Sequence, residues 1–298
     1  MPGTPWILRS LLFVPGNRAG MVAKAPRYGA DAIILDLEDG VAPEAKAEAR
    51  RVLGRALDEG FPPHQMVFLR VNGVESGLLE QDLGEVFRPG IAGLCLPKCD
   101  SPEGVHSVDA RLRVLEERYA LRRGSTRLLA MIESARGVIN APQVAAAHER
   151  IWGLAFGAED FTADIGVART REGGELGYAR AAVSVAAHAA GVEAVDGIFA
   201  DFGDASGLYA DTVAARSMGY TGKMLIHPAQ IAAVHAAFAP TQVEVEQARR
   251  IVDAFADAQA RGLGIAVVDG AMVDLPVMVR AQRILAVAAR TKPSTPGR

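Results

Sequence analysis

Short runs of apolar residues alternate along the chain with longer runs that are rich in alanine and charged residues. The short runs are almost entirely apolar, which is typical of strands covered on both faces, whereas the longer runs have the length and composition of helices. This alternation favours parallel strands joined by helices. It predicts eight strands, at residues 10–14, 32–37, 67–71, 93–97, 128–132, 152–156, 195–200 and 223–226.

Eight helices are predicted to follow these strands in turn. Pro43, Pro102 and Pro228 stand in the first turns of three of them, where the missing N–H of proline is tolerated. The predicted helices cover residues 18–24, 43–57, 78–86, 102–122, 138–147, 176–190, 205–218 and 228–238.

Eight strand–helix units over residues 1–240 match the size and count of a (β/α)8 barrel. The competing architecture is a doubly wound open sheet. No G-x-G-x-x-G motif follows any of the predicted strands, which favours the barrel over a dinucleotide-binding sheet. We therefore predict an α/β fold with a (β/α)8 TIM barrel as the catalytic domain.

After Pro240 the strand–helix alternation gives way to a different pattern. A helix is predicted at residues 243–259, a hairpin in the segment "GLGIAVVDGAMVD", and a last helix at residues 276–289. Residues 241–290 are thus expected to form a C-terminal helix–hairpin–helix appendage. The remaining segment, "TKPSTPGR" at residues 291–298, has the composition of a disordered tail.

Composition and charge exclude several classes of function. The net charge is −3 and the basic residues are scattered, so no nucleic-acid-binding surface is expected. No apolar run reaches the roughly 18 residues of a membrane span, and no signal peptide is evident, so a cytoplasmic protein is expected. Cys95 and Cys99 are the only cysteines, too few for a disulfide scaffold or a structural zinc site.

Charged residues follow nearly every predicted strand. In a barrel these positions surround one mouth. Each acid taken alone could cap a helix or pair with an arginine, but several together would raise one another's pKa unless a cation held them. The set comprises Asp36, Glu38, Asp39, Arg70, Lys98, Glu133, Glu159, Asp160, Asp201 and His227.

The available ligands at this mouth point to a hard divalent cation. They are carboxylates, and the six histidines form no H-x-x-x-H pair, which favours Mg²⁺, with Mn²⁺ as the alternative, over zinc. Arg70 is suited to a bidentate grip on a substrate carboxylate, but it could equally form an ion pair with Asp36 or Glu38. Both possibilities stay open at this point.

Seven segments resemble, in the same order, the citrate lyase β-subunit group with malyl-CoA and citramalyl-CoA lyases, within the HpcH/HpaI aldolase superfamily. The resemblance covers almost the whole chain and includes segments from both ends of it. The segments are "RSLLFVPGNRAGMVAKA", "ADAIILDLEDGV", "FLRVNG", "LLAMIESARGV", "LAFGAEDFTADIG", "GYTGKMLIHPAQI" and "DGAMVDLPVMVRAQRIL".

The resemblance implies a lyase that uses Mg²⁺ and cleaves a 3-hydroxy-acyl thioester by a retro-Claisen reaction. The products would be an acetyl thioester and an oxo acid. Citryl, malyl and citramalyl thioesters remain open as substrates, as does the choice between coenzyme A and an acyl carrier protein as the thioester partner. A homotrimer is also implied.

The resemblance also implies roles for individual residues. Glu133 and Asp160 would hold Mg²⁺, with Glu133 beside the substrate, and Arg70 would bind the carboxylate of the acid half. Asp274 would be the catalytic acid/base, supplied by a neighbouring subunit, although its position before Leu275 and Pro276 equally suits the N-cap of the last helix. The path of the thioester carrier would be lined by Phe13, Lys24, Ile226 and His227.

Two alternatives keep the same site. One is condensation or thioester hydrolysis, as in a malate synthase-like or thioesterase-like enzyme. The other is the catalytic β subunit of a citrate lyase complex that accepts only carrier-protein-bound citryl groups.

Overall fold

The computed structural model describes residue 6 and residues 8–291, and its first eight strands form a closed parallel barrel in chain order. This confirms the predicted (β/α)8 TIM barrel. The strands are β1 Ser10–Pro15, β2 Ala32–Asp36, β3 Met66–Arg70, β4 Gly93–Leu96, β5 Arg127–Ile132, β6 Ile151–Phe156, β7 Glu193–Asp196 and β8 Gly222–Leu225.

Helices follow the strands and return the chain to the amino end of the barrel. Short 3₁₀ turns at Pro43–Ala45 and Pro228–Gln230 begin two of these segments, each with proline at its first position. The helices are α1 Ala19–Lys24, α2 Lys46–Glu59, α3 Leu79–Val86, α4 Pro102–Arg118, α5 Ala135–Ala146, α6 Ala158–Asp164, α7 Gly177–Ala190, α8 Ala205–Ser217 and α9 Ile231–Phe238.

Alternate residues of each strand face the barrel interior, which places the polar residues of the mouth. Ile34, Phe68 and Met131 belong to the apolar cluster inside the barrel. Side chains two positions apart point to the same side of a strand, so these rows continue upward to Asp36, Arg70 and Glu133. Three charged side chains from β2, β3 and the end of β5 therefore stand on top of the apolar core.

An aromatic cluster occupies the amino end of the barrel. The ring centroids of Trp6 and Phe68 are 6.1 Å apart, and those of Phe68 and Trp152 are 5.6 Å apart. Trp6 and Trp152 pack with centroids 5.7 Å apart. Together with the layers above it, this cluster fills the barrel axis.

Buried ion pairs fasten the outer helices to the barrel. Arg150 donates to Asp109 at 2.6 Å and to both oxygens of Glu116 at 2.6 and 2.7 Å. Elsewhere in the barrel, Lys223 of β8 pairs with Asp196 of β7 and with Asp211 of α8. Both clusters therefore pair their buried charges inside the fold.

Two predicted elements differ from the structure in their bounds, and one short helix is absent from the prediction. β7 ends at Asp196, not at residue 200, because Ile198 packs against the barrel interior without joining the ladder. α4 ends at Arg118, and Ala120 has a positive φ of 52° that no helix accommodates. Helix α6 was not predicted, since its seven residues are too few for a helical period.

The chain packs as two compact units, one reaching His235 and the other beginning at Ala236. The second unit contains α10 Gln242–Ala260, an antiparallel hairpin of β9 Ala266–Val268 with β10 Ala271–Val273, and α11 Leu275–Thr291. The predicted helix–hairpin–helix is thus confirmed. The last helix continues two residues beyond its predicted end at Ala289. Thr291, expected in the tail, is therefore the last residue of α11. Residues 292–298 lie outside the described residues.

No helix of the described chain is long and apolar enough to span a bilayer.

Candidate functional site

A cavity of about 1110 Å³ opens at the carboxyl ends of the strands, within the first unit. It brings together several residues that the sequence places after different strands. Among its lining residues are Glu38, Lys98, Glu133 and Asp160. This cavity is the candidate site.

Glu133 follows β5 directly and is only 3% exposed. Its Oε1 accepts a 2.6 Å hydrogen bond from the backbone N–H of Lys98. On its other side lies Gly157, where a Cβ atom would approach Oε2 to 2.4 Å. Burial and the charge of Asp160 together raise the pKa of Glu133 to about 8, although the Lys98 N–H acts in the opposite direction.

Asp160 lies in the first turn of α6, which follows β6 through Gly157. An acid in the first helical turn is favoured by the helix dipole. The sequence "GAED" carries this signal and could have indicated the helix. Because Gly157 is the N-cap residue, the turn that carries Asp160 begins beside Glu133, and both acids line the cavity.

The two acids fit a Mg²⁺ ion. The charge of half-buried Asp160 helps to raise the pKa of buried Glu133, and a divalent cation between the two carboxylates would relieve this repulsion. Among residue 6 and residues 8–291, no group of three or more His, Cys, Asp or Glu side chains is arranged to hold a metal. Mg²⁺ is commonly bound by one or two protein carboxylates, with its other positions left to water or substrate, and Glu133 and Asp160 supply two.

Arg70 forms the ion pair that the sequence left as an alternative. Its Nε and Nη2 donate to the two oxygens of Asp36 at 2.6 and 2.7 Å, and its Nη1 lies 3.2 Å from Oε2 of Glu38. The guanidinium carbon sits 4.5 Å from the ring centroid of Phe13. Arg70 is 9% exposed. A substrate carboxylate would therefore have to use the Nη1 side, since Asp36 occupies the other edge.

Lys98 received no role from the sequence. Its Nζ donates to Oε1 of Glu38 at 2.6 Å and lies 3.6 Å from Asp39. Burial lowers the pKa of Lys98, but the hydrogen bond to Glu38 outweighs this and raises it. The one feature of the sequence that could have indicated a role for Lys98 is its position directly after Pro97, at the carboxyl end of β4.

Other polar residues of the mouth have local structural roles. Asn72 donates to Asp82 at 2.7 Å and to the carbonyl of Leu37 at 3.0 Å. Glu159 lies 3.3 Å from Arg169, and Asp201 accepts the N–H of Gly203 at 3.0 Å. For these residues a structural role accounts for the polar side chain.

Among the described residues, the lining of this cavity does not include Arg70. It also does not include the four residues predicted to line the carrier's path, which are Phe13, Lys24, Ile226 and His227. Phe13 is half-buried under Arg70, and Lys24 is exposed at the end of α1. Ile226 and His227 are exposed directly after β8. The His227 ring stacks on Phe202 at 4.9 Å, and its Nδ1 accepts the N–H of Ala229.

Asp274 belongs to the second unit and precedes α11 directly. Its Oδ1 accepts the N–H of Val277 at 3.2 Å, as an N-cap side chain does. The capping role expected from the sequence is therefore present. The catalytic role stays a prediction.

The fold and the site are those of a (β/α)8-barrel protein with an acidic site at the carboxyl ends of its strands. Residues 9–228 match the HpcH/HpaI aldolase/citrate lyase family, and the chain belongs to that family. This confirms the resemblance found in the sequence.

Two lyase proteins are similar to this chain over most of its length. The citrate lyase subunit beta of Escherichia coli K12 is 40% identical over 94% of this chain and 93% of its own length. The mitochondrial citramalyl-CoA lyase of Homo sapiens is 34% identical over 95% of this chain and 86% of that protein. The crystal structure of CitE from Mycobacterium tuberculosis with magnesium, acetoacetate and coenzyme A superposes with a TM-score of 0.79 at 29% identity, covering 96% of this chain and all (100%) of that one.

Proposed function

We propose that this protein is a Mg²⁺-dependent carbon–carbon lyase that cleaves a 3-hydroxy-acyl thioester into an acetyl thioester and an oxo acid. One observation carries the proposal: buried Glu133 lies beside Asp160 in the cavity, which is also lined by Glu38, the carboxylate that pairs with Arg70. The family and the relatives named above, lyases and a magnesium-bound structure, support the same chemistry.

The residues of the mouth would have different roles, some in binding the metal and one in binding the substrate carboxylate. Glu133 and Asp160 would hold Mg²⁺, whose Lewis acidity would polarise the oxygens of the hydroxy acid. Arg70, through Nη1, would bind and neutralise the carboxylate of the acid half. Because Glu133 and Arg70 are buried, water weakens their interactions with the metal and the substrate carboxylate less than it would at the surface.

The bond cleavage needs one base and one acid. A base removes the proton of the 3-hydroxyl group, the C2–C3 bond breaks, and its electron pair goes to C2, forming the enolate of the acetyl thioester. The oxygen at C3 becomes the oxo group, and the enolate takes up a proton to give the acetyl thioester. We assign the proton transfers to Asp274 of a neighbouring subunit in a homotrimer. Its carboxylate already stands at a helix start, which fixes its backbone.

A coupled assay with citryl-, malyl- and citramalyl-CoA, with and without Mg²⁺, tests this function. Cleavage of one of the three that requires Mg²⁺ and is lost in Glu133→Ala is the expected result. Activity and metal binding that survive Glu133→Ala would contradict the site. Release of free coenzyme A without acetyl-CoA would favour hydrolysis instead.

A second candidate function is the β subunit of a citrate lyase complex. The observation in its favour is the 40% identity to a protein named as such a subunit, against 34% to a citramalyl-CoA lyase. In this case the purified chain would leave all three coenzyme A thioesters uncleaved and would cleave citryl bound to an acyl carrier protein. The cytoplasmic location expected from the sequence suits either function.

A further inference from the structure

Lys98 holds an unusual backbone conformation at the end of β4. Its φ is 51°, and among the described residues only Ala120 and Asp269 share a positive φ without being glycine. The left-handed conformation costs a residue with a Cβ atom about 1–2 kcal/mol. Strain of this kind is retained where the surrounding structure requires it, which is common at functional sites.

The strained backbone serves Glu133. The Lys98 N–H points at Oε1 of Glu133 at 2.6 Å, and Oε2 faces Gly157. The carboxylate is therefore held between a donor on one side and a backbone without a side chain on the other. The angle φ describes rotation about the N–Cα bond, so it sets the direction of the Lys98 side chain and of the following peptide relative to the Lys98 N–H. At a φ of 51° the N–H meets Glu133 while the side chain reaches Glu38 and the next N–H, of Cys99, bonds the carbonyl of Met131 at 3.0 Å.

The side chain of Lys98 serves the other half of the site. Its Nζ takes Oε1 of Glu38 at 2.6 Å, while Oε2 of Glu38 accepts the Asp39 N–H at 2.9 Å and lies 3.2 Å from Nη1 of Arg70. Glu38 is thus shared between two cations. Without the lysine, its charge would fall on Arg70 alone and would occupy the Nη1 side that a substrate needs.

We infer that Lys98 is a positioning residue with two separable parts. Its backbone sets the orientation of Glu133, and its ammonium group holds Glu38 so that Nη1 of Arg70 stays available to the substrate carboxylate. The inference rests on the proposed function, because it takes Glu133 as a metal ligand and Arg70 as the carboxylate-binding group. It links the two halves of the site through one residue.

The matched pair Lys98→Met and Lys98→Ile separates the two parts. Both remove the charge and have similar volumes, but the β-branched isoleucine resists a positive φ. Mn²⁺ affinity is measured from free Mn²⁺ by electron paramagnetic resonance without substrate, and pyruvate affinity by calorimetry with saturating Mn²⁺. Pyruvate serves as a probe because it is the oxo acid released from a citramalyl thioester.

Lys98→Met is expected to bind Mn²⁺ as tightly as wild type or more tightly, since a positive charge near the acids is lost. Its pyruvate affinity should fall about tenfold, the effect of losing a charge-assisted hydrogen bond that is partly screened by solvent. Lys98→Ile should lose about tenfold in Mn²⁺ affinity as well, as other supports of metal ligands do. Lys98→Arg should restore both affinities to near wild type.

Arg136→Met controls for the general loss of positive charge. Arg136 lines the same cavity and is exposed, and its charge acts on Glu103, which is not part of the proposed site. Its replacement should leave pyruvate affinity nearly unchanged. An equal loss in Arg136→Met and Lys98→Met would overturn the role of the ammonium group, and equal Mn²⁺ affinities in the Met and Ile variants would overturn the backbone role.

Two further proteins keep the result decisive. Lys98→Gly accepts a positive φ without strain, so it must bind Mn²⁺ like wild type even if Lys98→Ile does not fold; weaker binding there contradicts the inference. Wild type and Glu133→Gln test the proposed function separately. If wild type binds no Mn²⁺ through Glu133, the proposed function fails; if it does and Lys98→Met binds pyruvate normally, only the inference fails.

Discussion

Gly157 approaches Glu133 so closely that a methyl group at position 157 would lie 2.4 Å from both the Cβ and the Oε2 atoms of the glutamate. The φ of Gly157 is −97°, which any residue adopts, so space alone requires glycine here. The absence of a side chain at the N-cap of α6 thus determines where the Glu133 carboxylate can stand.

Gly157→Ala is expected to displace Glu133 and to weaken Mg²⁺ binding by about 10- to 100-fold, the range seen when the support of a metal ligand is lost. Isothermal calorimetry with Mg²⁺ measures the effect. Gly84→Ala in α3 is the matched control, because nothing lies within 4 Å of the added methyl group. If Gly157→Ala binds Mg²⁺ as tightly as wild type does, Glu133 either is not a Mg²⁺ ligand or can move away from the added methyl group without loss.

Glu133→Gln is expected to be more stable than wild type without Mg²⁺ and less stable than wild type when Mg²⁺ is added. Burial and Asp160 raise the folded-state pKa of Glu133 to about 8, above the ordinary value of 4.5. The folded protein then holds a proton that the unfolded chain has lost, so stability falls as pH rises from 4.5 towards 8. At pH 8 and without metal, Glu133→Gln should therefore be more stable than wild type by about 1–3 kcal/mol.

Saturating Mg²⁺ should stabilise wild type and stabilise Glu133→Gln much less, since the variant keeps only the Asp160 carboxylate of the two proposed ligands. Denaturant unfolding at pH 5 and pH 8, with Mg²⁺ or a chelator, provides the four measurements. The idea fails if the variant gains stability from Mg²⁺ as wild type does.

Asp274→Asn separates capping from catalysis. Asparagine caps helices as well as aspartate does, so the thermal midpoint should stay within error of wild type. It cannot act as an acid or base, so kcat should fall by about 10²- to 10⁴-fold. Asp274→Ala should show the same loss of kcat and also lose about 1 kcal/mol of stability, as the cap to Val277 disappears.

Mixing two inactive variants tests whether Asp274 acts across subunits. Oligomers reassembled from Asp274→Asn and Glu133→Gln chains should regain part of the activity, because some sites would combine an intact barrel with an intact Asp274. A mixture that stays inactive after exchange, verified by mass spectrometry, would place Asp274 and Glu133 of one active site in the same chain.

Arg150→Met should destabilise the fold by about 3–5 kcal/mol, because it leaves two buried carboxylates without their cation. Arg150 is 1% exposed and bonds both Asp109 and Glu116. The control is Arg111→Met, which breaks a half-exposed pair with Glu80 and should cost about 0–1 kcal/mol. Equal losses in urea unfolding would contradict the importance of the buried network.

The same network predicts an acid-sensitive component of stability. Burial would raise the pKa of Glu116, but hydrogen bonds from Arg150 and from the N–H groups of Thr126 and Gly124 outweigh it and lower the pKa to about 2. This stability is complete above 4.5 and is lost as pH falls towards 2. Unfolding of wild type and Glu116→Gln from pH 6 to pH 2 should converge at the acid end.

The sequence predicts the barrel well because the spacing of its apolar runs is a local property. The inward rows that end in Asp36, Arg70 and Glu133 follow from strand alternation alone. The pairing of Arg70 with Asp36 could not be chosen over a free guanidinium, since it depends on neighbouring strands that meet only in the folded protein. For the same reason, the hydrogen bond from the Lys98 N–H to Glu133 could not be predicted from the sequence.

The short helix α6 was missed for a different reason. Seven residues carry less than two helical turns, so period and length could not separate it from a loop. β7 was extended too far because Ile198 is apolar for packing and not for pairing. Both errors arise because these apolar residues are required by tertiary packing and do not follow the repeat of a strand or of a helix.

The aromatic cluster of Trp6, Phe68 and Trp152 blocks the barrel axis below the site. The products of a cleavage beside Glu133 would therefore leave through the same opening at the carboxyl ends of the strands by which the substrate enters. An oxo acid gripped by buried Arg70 would lie beneath the bulkier thioester, so the two products must depart in a fixed sequence, thioester first. Steady-state inhibition patterns would then show the oxo acid, and not acetyl-CoA, competing with the incoming substrate for free enzyme.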